Sequence, residues 1–192
     1  MGTEIAPEFV GFRKIPRLSR PIVITEKIDG TLGLVHVRIT PGGGTKVFAG
    51  SKSRWITPEQ DNHGFAKWVH AHAEELGQLG DGYHFGEWWG KGINRGYGIP
   101  EKRFSLFNVS LWGTSRPECC SVVPTLWTGL FNLDEIQRVL TELATSGSQA
   151  APGFMRPEGI VIYHVQGNLM FKKTILHDEQ PKGDISAEIK EA

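Results

Sequence analysis

The sequence has few of the features that mark a secreted, membrane-spanning or zinc-binding protein. Its only two cysteines, Cys119 and Cys120, are neighbours, which argues against a disulfide framework and against a cysteine-based zinc site. No apolar run approaches the roughly 20 residues that cross a bilayer, and the N-terminus lacks the apolar segment of a signal peptide. We therefore expect a soluble cytoplasmic protein without a membrane partner, in the host cytoplasm if the chain is phage-encoded.

The chain also has no net charge, because 21 Lys and Arg residues balance 21 Asp and Glu residues. Overall charge consequently favours no class of partner, and any surface for a polyanion must be local. A length of 192 residues is enough for one domain with a sizeable core, and 24 glycines with 11 prolines indicate many turns and short strands.

Short apolar runs separated by turn residues predict a strand-rich fold. We expect strands at residues 22–24, 31–39, 45–49, 83–89, 104–109, 159–163 and 168–172. The strands at 31–39 and 45–49 should form one hairpin, and those at 159–163 and 168–172 should form another. Val35, Val37 and Ile39 should share one face, and one of Trp88 and Trp89 should be in the core. Residues 112–127 show no clear pattern.

Two segments have the apolar spacing of amphipathic helices. The first covers residues 62–76 and should end at Gly77, and the second should begin at a cap formed by Asn132 with Glu135 three residues on. Two separated helices among many strands predict an α+β fold with antiparallel sheets flanked by helices. We expect one domain over residues 1–177, followed by a charged tail over residues 178–192.

Several charged residues lie beside these apolar strands. Lys27 precedes the bend Asp29-Gly30, Glu87 interrupts an aromatic strand, Glu158 opens another strand, and Lys172 and Lys173 end the last one. Each of these residues alone is typical of a solvated strand end. Carboxylates and ammonium groups are rarely buried unless they are paired or bind a metal, and the order of these five along the chain is specific.

That order resembles motifs I, III, IV and V of the covalent nucleotidyltransferases, which comprise polynucleotide ligases and messenger-RNA capping enzymes. Residues 25–30 (TEKIDG) resemble motif I, residues 85–93 (FGEWWGKGI) resemble a Phe-Gly-Glu motif with a following Gly-x-Gly-Ile, and residues 157–161 (PEGIV) resemble motif IV. Within the superfamily, the match is closest to the RNA ligase 2-like branch. The resemblance implies the adenylation domain of the ligase type, without an OB-fold.

The resemblance also implies a chemistry. Lys27 would attack the α-phosphorus of ATP and form a lysyl-AMP intermediate. The AMP would pass to a 5′-phosphate end, which a 3′-hydroxyl would then attack to form a phosphodiester. A free lysine has a pKa of about 10.4, and desolvation or a nearby cation favours the neutral, nucleophilic amine. Lys172 and Mg²⁺ (or Mn²⁺) would supply that cation, and Lys172 and Lys173 would stabilise phosphate charge.

Further residues take implied roles in binding the nucleotide. Glu26 would lie by the adenine amino group, Phe107 would stack on the base, and Arg54 would contact the ribose or a phosphate. Glu87 would hold the ribose, and Glu87 and Glu158 are the candidate metal ligands, since Mg²⁺ takes one or two carboxylates and several waters. The bend Asp29-Gly30 would orient the Lys27 loop, although a plain turn carboxylate is an equal interpretation of Asp29.

The sequence departs from the family pattern at two motifs. Asn108 follows Phe107 where the family usually has an acid. Motif V usually reads Lys-x-Lys, whereas residues 171–174 read FKKT, so that Thr174 takes the second lysine position if Lys172 takes the first. We favour Lys172 as essential and leave the role of Lys173 open.

Only 19 residues follow Lys173, fewer than the second domain of such ligases needs. We therefore expect an adenylyltransferase core that uses a partner protein, or the basic residues near its N-terminus, to recognise RNA ends or nicks. Two alternatives stay open. One is a minimal DNA nick ligase, and the other is a nucleotide-binding or end-binding pseudoenzyme whose incomplete motif V abolishes turnover.

Overall fold

The computed structural model describes residues 8–176 and residue 178, which form two β-sheets with helices packed against them. The strands are β1 (Pro21–Lys27), β2 (Thr31–Ile39), β3 (Thr45–Gly50), β4 (Trp55–Ile56), β5 (Gly82–Gly90), β6 (Lys102–Leu106), β7 (Cys120–Val122), β8 (Thr125–Leu130), β9 (Gly159–His164) and β10 (Leu169–Thr174). The helices are α1 (Phe65–Ala71), α2 (Ala73–Leu76), α3 (Val109–Trp112) and α4 (Leu133–Ser146).

One sheet has four strands in the order β10-β9-β1-β8, and the other has six in the order β4-β3-β2-β5-β6-β7. Every described pairing is antiparallel except β6 with β7. The α+β class with antiparallel sheets flanked by helices is confirmed. None of the described helices combines the length and the apolar character that crossing a bilayer would require.

Helix α4 covers one face of the four-stranded sheet. Ile22, Ile24, Ile160 and Ile162 alternate along β1 and β9 with residues on the other face, and they pack against the apolar stripe of α4 (Ile136, Val139, Leu140 and Leu143). The predicted cap is present, since the Asn132 side chain accepts the backbone N–H groups of Asp134 at 2.8 Å and Glu135 at 3.4 Å. Local capping and long-range burial therefore act on the same helix.

Helix α1 covers one face of the six-stranded sheet, where Phe65 and Val69 pack with Val35, Val37 and Phe104. The prediction of one helix over residues 62–76 is wrong at its start and in its middle, whereas α2 ends at Leu76, before Gly77, as predicted. The Asp61 carboxylate accepts the N–H groups of Ala66 at 2.7 Å and Lys67 at 3.1 Å, which delays the start of the helix.

The helical segment also breaks at His72. His72 has a non-helical backbone (φ −109°, ψ 20°), and its ring Nδ1 lies 2.8 Å from the Trp68 carbonyl oxygen, next to the backbone hydrogen bond to the same oxygen. After α2, Gly77 continues into a short 3₁₀ turn that reaches Leu79. The contact of the His72 ring with the Trp68 carbonyl oxygen thus accompanies the division of the predicted helix into α1 and α2.

Ile39 shares the face of Val35 and Val37 as expected, but it is 53% exposed at the end of β2. Two other expectations need correction. Residues 112–127 contain β7 and the start of β8, whose pairing partners are distant in sequence. Both Trp88 and Trp89 are core residues, because α1 covers one face of β5 while a cluster of Ile28, Tyr97 and neighbours covers the other.

Both predicted hairpins are present, as β2–β3 and β9–β10, while the strand expected over 104–109 is β6 and ends at Leu106. The predicted charged tail lies outside the described residues except for Asp178, so the boundary at residue 178 stays a prediction.

Replacement of Leu140 by Ala should lower the free energy of unfolding by about 2–5 kcal/mol, because Leu140 is buried between α4 and the four-stranded sheet. Leu133→Ala on the same helix is the matched control, since Leu133 is 69% exposed and should change stability by less than about 0.5 kcal/mol. Urea unfolding of both variants measures the difference, and equal losses would contradict this packing.

Candidate active site

The two sheets are joined covalently at Ile28–Gly30, and the candidate site lies at this junction. Strand β1 of the four-stranded sheet ends at Lys27, and β2 of the six-stranded sheet begins at Thr31. The β1–β9 register places Lys27 opposite Gly159. Glu158 is therefore beside Lys27, and its Oε2 lies 2.5 Å from the Lys27 Nζ. Residues 131 positions apart in sequence thus form an ion pair.

Lys27 and Glu158 are shielded but not sealed from solvent. The side chain of Lys27 is 24% exposed and that of Glu158 is 8% exposed. Partial burial strengthens the attraction between the two charges, and each would be costly to leave unpaired in this position. The Lys27 amine therefore faces a protected site that a small molecule can still reach.

Gly30 brings Glu87 into the same site. Its backbone N–H donates to Glu87 Oε1 at 3.0 Å. A Cβ atom at this position would overlap the Trp88 carbonyl oxygen and lie 2.8 Å from the Trp89 Cβ. Only glycine allows this close approach, so the bend predicted from Asp29-Gly30 fixes the distance between β5 and the end of β1.

Glu87 is the most perturbed carboxyl group of the site. Burial raises the pKa of Glu87 to about 7, and the charges of Glu158 and Asp29 act in the same direction. The charge of Lys27 and the Gly30 N–H oppose that shift without cancelling it. A carboxyl group of this kind is partly protonated at neutral pH, and a bound cation would favour its ionised form.

Asp29 orients the glycine-rich loop that follows β5. Its carboxylate accepts hydrogen bonds from Arg95 Nε at 2.7 Å and Asn94 Nδ2 at 2.9 Å, and its backbone N–H donates to the Tyr97 hydroxyl oxygen at 2.8 Å. Burial raises the pKa of Tyr97 above its usual range. These contacts join Asp29 to the loop after β5, and its role in orienting the Lys27 loop stays a prediction.

Sequence reasoning missed Asn94 and Tyr97. Asn94 Nδ2 also donates to the Gly30 carbonyl oxygen at 2.6 Å, and Arg95 donates to the Arg156 carbonyl oxygen at 3.0 Å. A signal was available for Asn94 alone, since asparagine is one of the few non-glycine residues that favour positive φ. Asn94 and Tyr97 have φ values of 44° and 52°.

Glu26 lies on the face of β1 opposite Lys27, because successive strand residues alternate. It is 1% exposed. Ser148 Oγ donates to Oε1 at 2.6 Å, and the N–H groups of Gln149 and Ala150 donate to Oε2 at 2.8 and 2.9 Å. Sequence reasoning missed this anchoring of the loop after α4. The contact of Glu26 with adenine stays a prediction.

The two lysines of motif V are on opposite faces of the edge strand β10. Lys172 is opposite Val161, which in turn is opposite Thr25 of β1. It therefore shares the face that carries Lys27, and Thr174 occupies the next position on that face. Lys173 is opposite Ile160 on the face of Glu26, and its Nζ lies 3.1 Å from Asp178. Their catalytic roles stay predictions, but only Lys172 is on the Lys27 face.

Phe107 and Arg54 have different relations to the site. Phe107 is half-buried against the cluster that contains Ile28 and Trp89, directly beside the end of β1. The following Asn108 caps α3 by accepting the Leu111 N–H at 3.1 Å. Arg54 is exposed in the turn between β3 and β4, and among the described residues its side chain makes no hydrogen bond. The nucleotide contacts of both residues stay predictions.

Within residues 8–176 and 178, no three His, Cys, Asp or Glu side chains converge as a ready-made metal cage. This is compatible with Mg²⁺ or Mn²⁺, because Mg²⁺ keeps several waters and needs only one or two carboxylates beside substrate phosphates. Glu87 and Glu158 fit that donor set. Glu158 is paired with Lys27, and burial raises the pKa of Glu87 against the opposing charge of Lys27, so a bound cation would favour the ionised form of Glu87.

Comparison with known proteins identifies the family. The family model described as RNA ligase matches residues 20–175. The chain belongs to the RNA ligase family. No curated protein matches it in sequence.

Solved structures of Naegleria gruberi RNA ligase variants show the same fold as this RNA ligase family member. One with ATP and Mn has 17% identity and a TM-score of 0.57, covering 80% of this chain and 48% of that chain. Another with ATP and Mn has 16% identity and a TM-score of 0.60, covering 93% and 60%. A third, with AMP and Mn, has 17% identity and a TM-score of 0.59, covering 87% and 56%. The chain thus spans about half to three fifths of their length.

Replacement of Glu87 by Gln should stabilise the protein increasingly as pH rises from 5 to 8. The pKa of Glu87 is raised from 4.5 to about 7 in the folded state, so its contribution to stability is lost as pH rises through this window. Thermal unfolding of both proteins at each pH measures the effect, which should reach about 1–3 kcal/mol at pH 8.

The exposed Glu118→Gln variant is the control, and its melting temperature should follow that of the unmodified protein at every pH. A difference between Glu87→Gln and the unmodified protein that does not change with pH would show that Glu87 titrates normally.

Proposed function

We propose that this protein is an ATP-dependent RNA ligase that joins a 5′-phosphate end to a 3′-hydroxyl through a lysyl-AMP intermediate on Lys27. The ion pair of Lys27 with Glu158 carries the proposal, because it holds a single amine in a protected site beside a second carboxyl group. Membership of the RNA ligase family and the fold shared with ligases solved with ATP, AMP and Mn support it.

The first step would be the attack of the Lys27 amine on the α-phosphorus of ATP. A nitrogen–phosphorus bond forms, the bond to the β-phosphate oxygen breaks, and pyrophosphate leaves with that electron pair. The amine must first lose its proton, and Glu158 lies 2.5 Å away as the group able to accept it. In the ion pair the Lys27 ammonium donates a proton in a hydrogen bond to Glu158, and its nitrogen has no free electron pair. ATP binding must therefore separate the two side chains before the attack.

Glu87 would hold the divalent cation, joined by Glu158 after it has passed the Lys27 proton to solvent, and Lys172 would contact phosphate oxygens from its position on the Lys27 face. A bound Mg²⁺ or Mn²⁺ supplies charge stabilisation for the phosphates. Phosphoryl-type transfer depends mainly on positioning and on charge stabilisation. The protein groups needed for both are thus on one face of the four-stranded sheet and at the adjoining end of β5.

The later steps would consume the adenylated enzyme. An oxygen of the 5′-phosphate end attacks the phosphorus of lysyl-AMP, and the Lys27 amine leaves and regains a proton. The 3′-hydroxyl then attacks the 5′-phosphorus of the adenylated end, and AMP leaves as the phosphodiester forms. A partner protein, or the basic residues near the N-terminus, would assist the recognition of ends or nicks.

Two alternatives correspond to specific observations. A DNA nick ligase would use the same three steps at the same residues, so only the substrate separates it from an RNA ligase. A nucleotide-binding or end-binding pseudoenzyme is the second alternative, because Thr174 occupies the position on the Lys27 face where the family usually has a second lysine.

Incubation with α-³²P-labelled ATP and Mg²⁺ should label the protein covalently on a denaturing gel, and Lys27→Ala should abolish the label. A lysine phosphoramidate is lost in acid and survives mild base, unlike an ester or an acyl phosphate, which identifies the bond. ATP binding without any covalent label would favour the pseudoenzyme and remove the proposed mechanism.

Lys172→Ala should reduce labelling at least 100-fold, since its ammonium group is on the Lys27 face, whereas Lys173→Ala should retain most of it. The two variants are a matched pair, because they remove the same side chain from neighbouring positions on opposite faces of β10. Equal losses of labelling in the two variants would show that the face of β10 on which a lysine lies does not determine its role in adenylation. Sealing of matched RNA, DNA and hybrid nicks by the unmodified protein then separates the two ligase activities.

A further inference from the structure

An exposed row of aromatic residues lies on the six-stranded sheet, on the face opposite the one that α1 covers. We call it the aromatic face, and it consists of His36, Phe48, Trp55, Tyr83 and Phe85. Val35 and Val37 point into the core, so His36 points outward between them. Tyr83 is 60% exposed and Trp55 is 53% exposed. Burial in the core therefore does not explain these residues.

The rings are organised rather than scattered. Tyr83, His36 and Phe48 lie side by side on β5, β2 and β3. The His36 and Tyr83 ring centroids are 4.2 Å apart with an interplanar angle of 13°, and those of His36 and Phe48 are 5.9 Å apart at 25°. Trp55 lies edge-on to Phe48 at one end of the stack, with ring centroids 6.2 Å apart, and Tyr83 at the other end is 60% exposed and accessible to another planar group.

Positive charge borders this row. Arg38 and Lys46 are paired across β2 and β3 on the same face, directly beside His36 and Phe48. Asp81, the acid nearest in register, accepts the Ile39 N–H at 2.7 Å and is partly engaged. Stacked rings with bordering cations are typical of surfaces that bind single-stranded nucleic acid, where bases stack and phosphates contact Lys or Arg.

The aromatic face is continuous with the candidate active site. Tyr83, Phe85 and Glu87 alternate along one face of β5, and Glu87 accepts the Gly30 N–H. The distance from Tyr83 to Glu87 along the strand is roughly 13 Å. A polynucleotide that lies along β5 can therefore contact the rings while its end is at Lys27.

We propose that the aromatic face binds unpaired nucleotides of a single-stranded RNA segment next to the end being joined. The position of the RNA end at Lys27 rests on the proposed ligase function, whereas the binding of RNA to the aromatic face does not. The occupant is a nucleic acid rather than an apolar protein surface, because the face combines exposed rings with the exposed cationic side chains of Arg38 and Lys46.

Fluorescence anisotropy with a 5′-labelled single-stranded RNA 10-mer tests the proposal. The Trp55→Ala/Tyr83→Ala double variant should bind at least tenfold more weakly than the unmodified protein, because base stacking on one aromatic side chain accounts for about a fivefold or larger change in affinity. Trp55→Phe/Tyr83→Phe should restore most of the affinity. Arg38→Ala/Lys46→Ala should weaken binding and reduce its dependence on salt concentration.

Phe171→Ala is the matched control, since Phe171 is 55% exposed on the other sheet and should leave RNA affinity unchanged. Lys27-dependent labelling with ATP, measured on the same proteins, should be retained in the Trp55→Ala/Tyr83→Ala variant. If the unmodified protein binds RNA but is not labelled by ATP, the proposed function is wrong, whereas the proposal for the aromatic face is unaffected.

Two results would overturn the aromatic face itself. One is an RNA affinity that the double alanine variant does not change. The other is a change of oligomeric state on size-exclusion chromatography without any change in RNA affinity, which would show that a second copy of the chain covers these rings.

Discussion

The ion pair between Lys27 and Glu158 is the interaction on which the candidate site depends. It exists because β1 and β9 are antiparallel neighbours whose register ends with Lys27 opposite Gly159. Each charge is partly removed from water, so each depends on the other. The packing of α4 beneath β1 and β9 holds that register. The hydrophobic core of the four-stranded sheet thus positions the Lys27–Glu158 pair, which lies at the ends of its two central strands.

The site also contains a carboxyl group whose ionised form is disfavoured by burial. Burial, with smaller contributions from the charges of Glu158 and Asp29, raises the pKa of Glu87 to about 7. Arg95 and Asn94 stabilise Asp29, whereas the Gly30 N–H and the nearby Lys27 charge do not fully offset the burial of Glu87. A buried carboxylate of this kind costs stability in the free protein and favours the binding of a cation.

Because strand side chains alternate, neighbouring charged residues of the four-stranded sheet lie on opposite faces. One face carries Lys27 and Lys172, and the other carries Glu26 and Lys173. Both oxygens of the Glu26 carboxylate accept hydrogen bonds from the loop after α4. Glu26 therefore holds that loop in place, although it is adjacent in sequence to the candidate nucleophile Lys27. Adjacent residues with similar chemistry therefore have different surroundings, which residue type alone does not reveal.

Sequence alone determined the local features and the order of the motifs. The hairpins, the Asn132 cap and the bend at Asp29-Gly30 follow from turn and capping chemistry within a few residues, and the series from Lys27 to Lys172 identified the family. Tertiary structure decided the break at His72, the strands within residues 112–127, the burial of both Trp88 and Trp89, and the contacts of Asp29 with Asn94 and Tyr97. Each of these depends on partners distant in sequence, whose positions only the packing of the two sheets establishes.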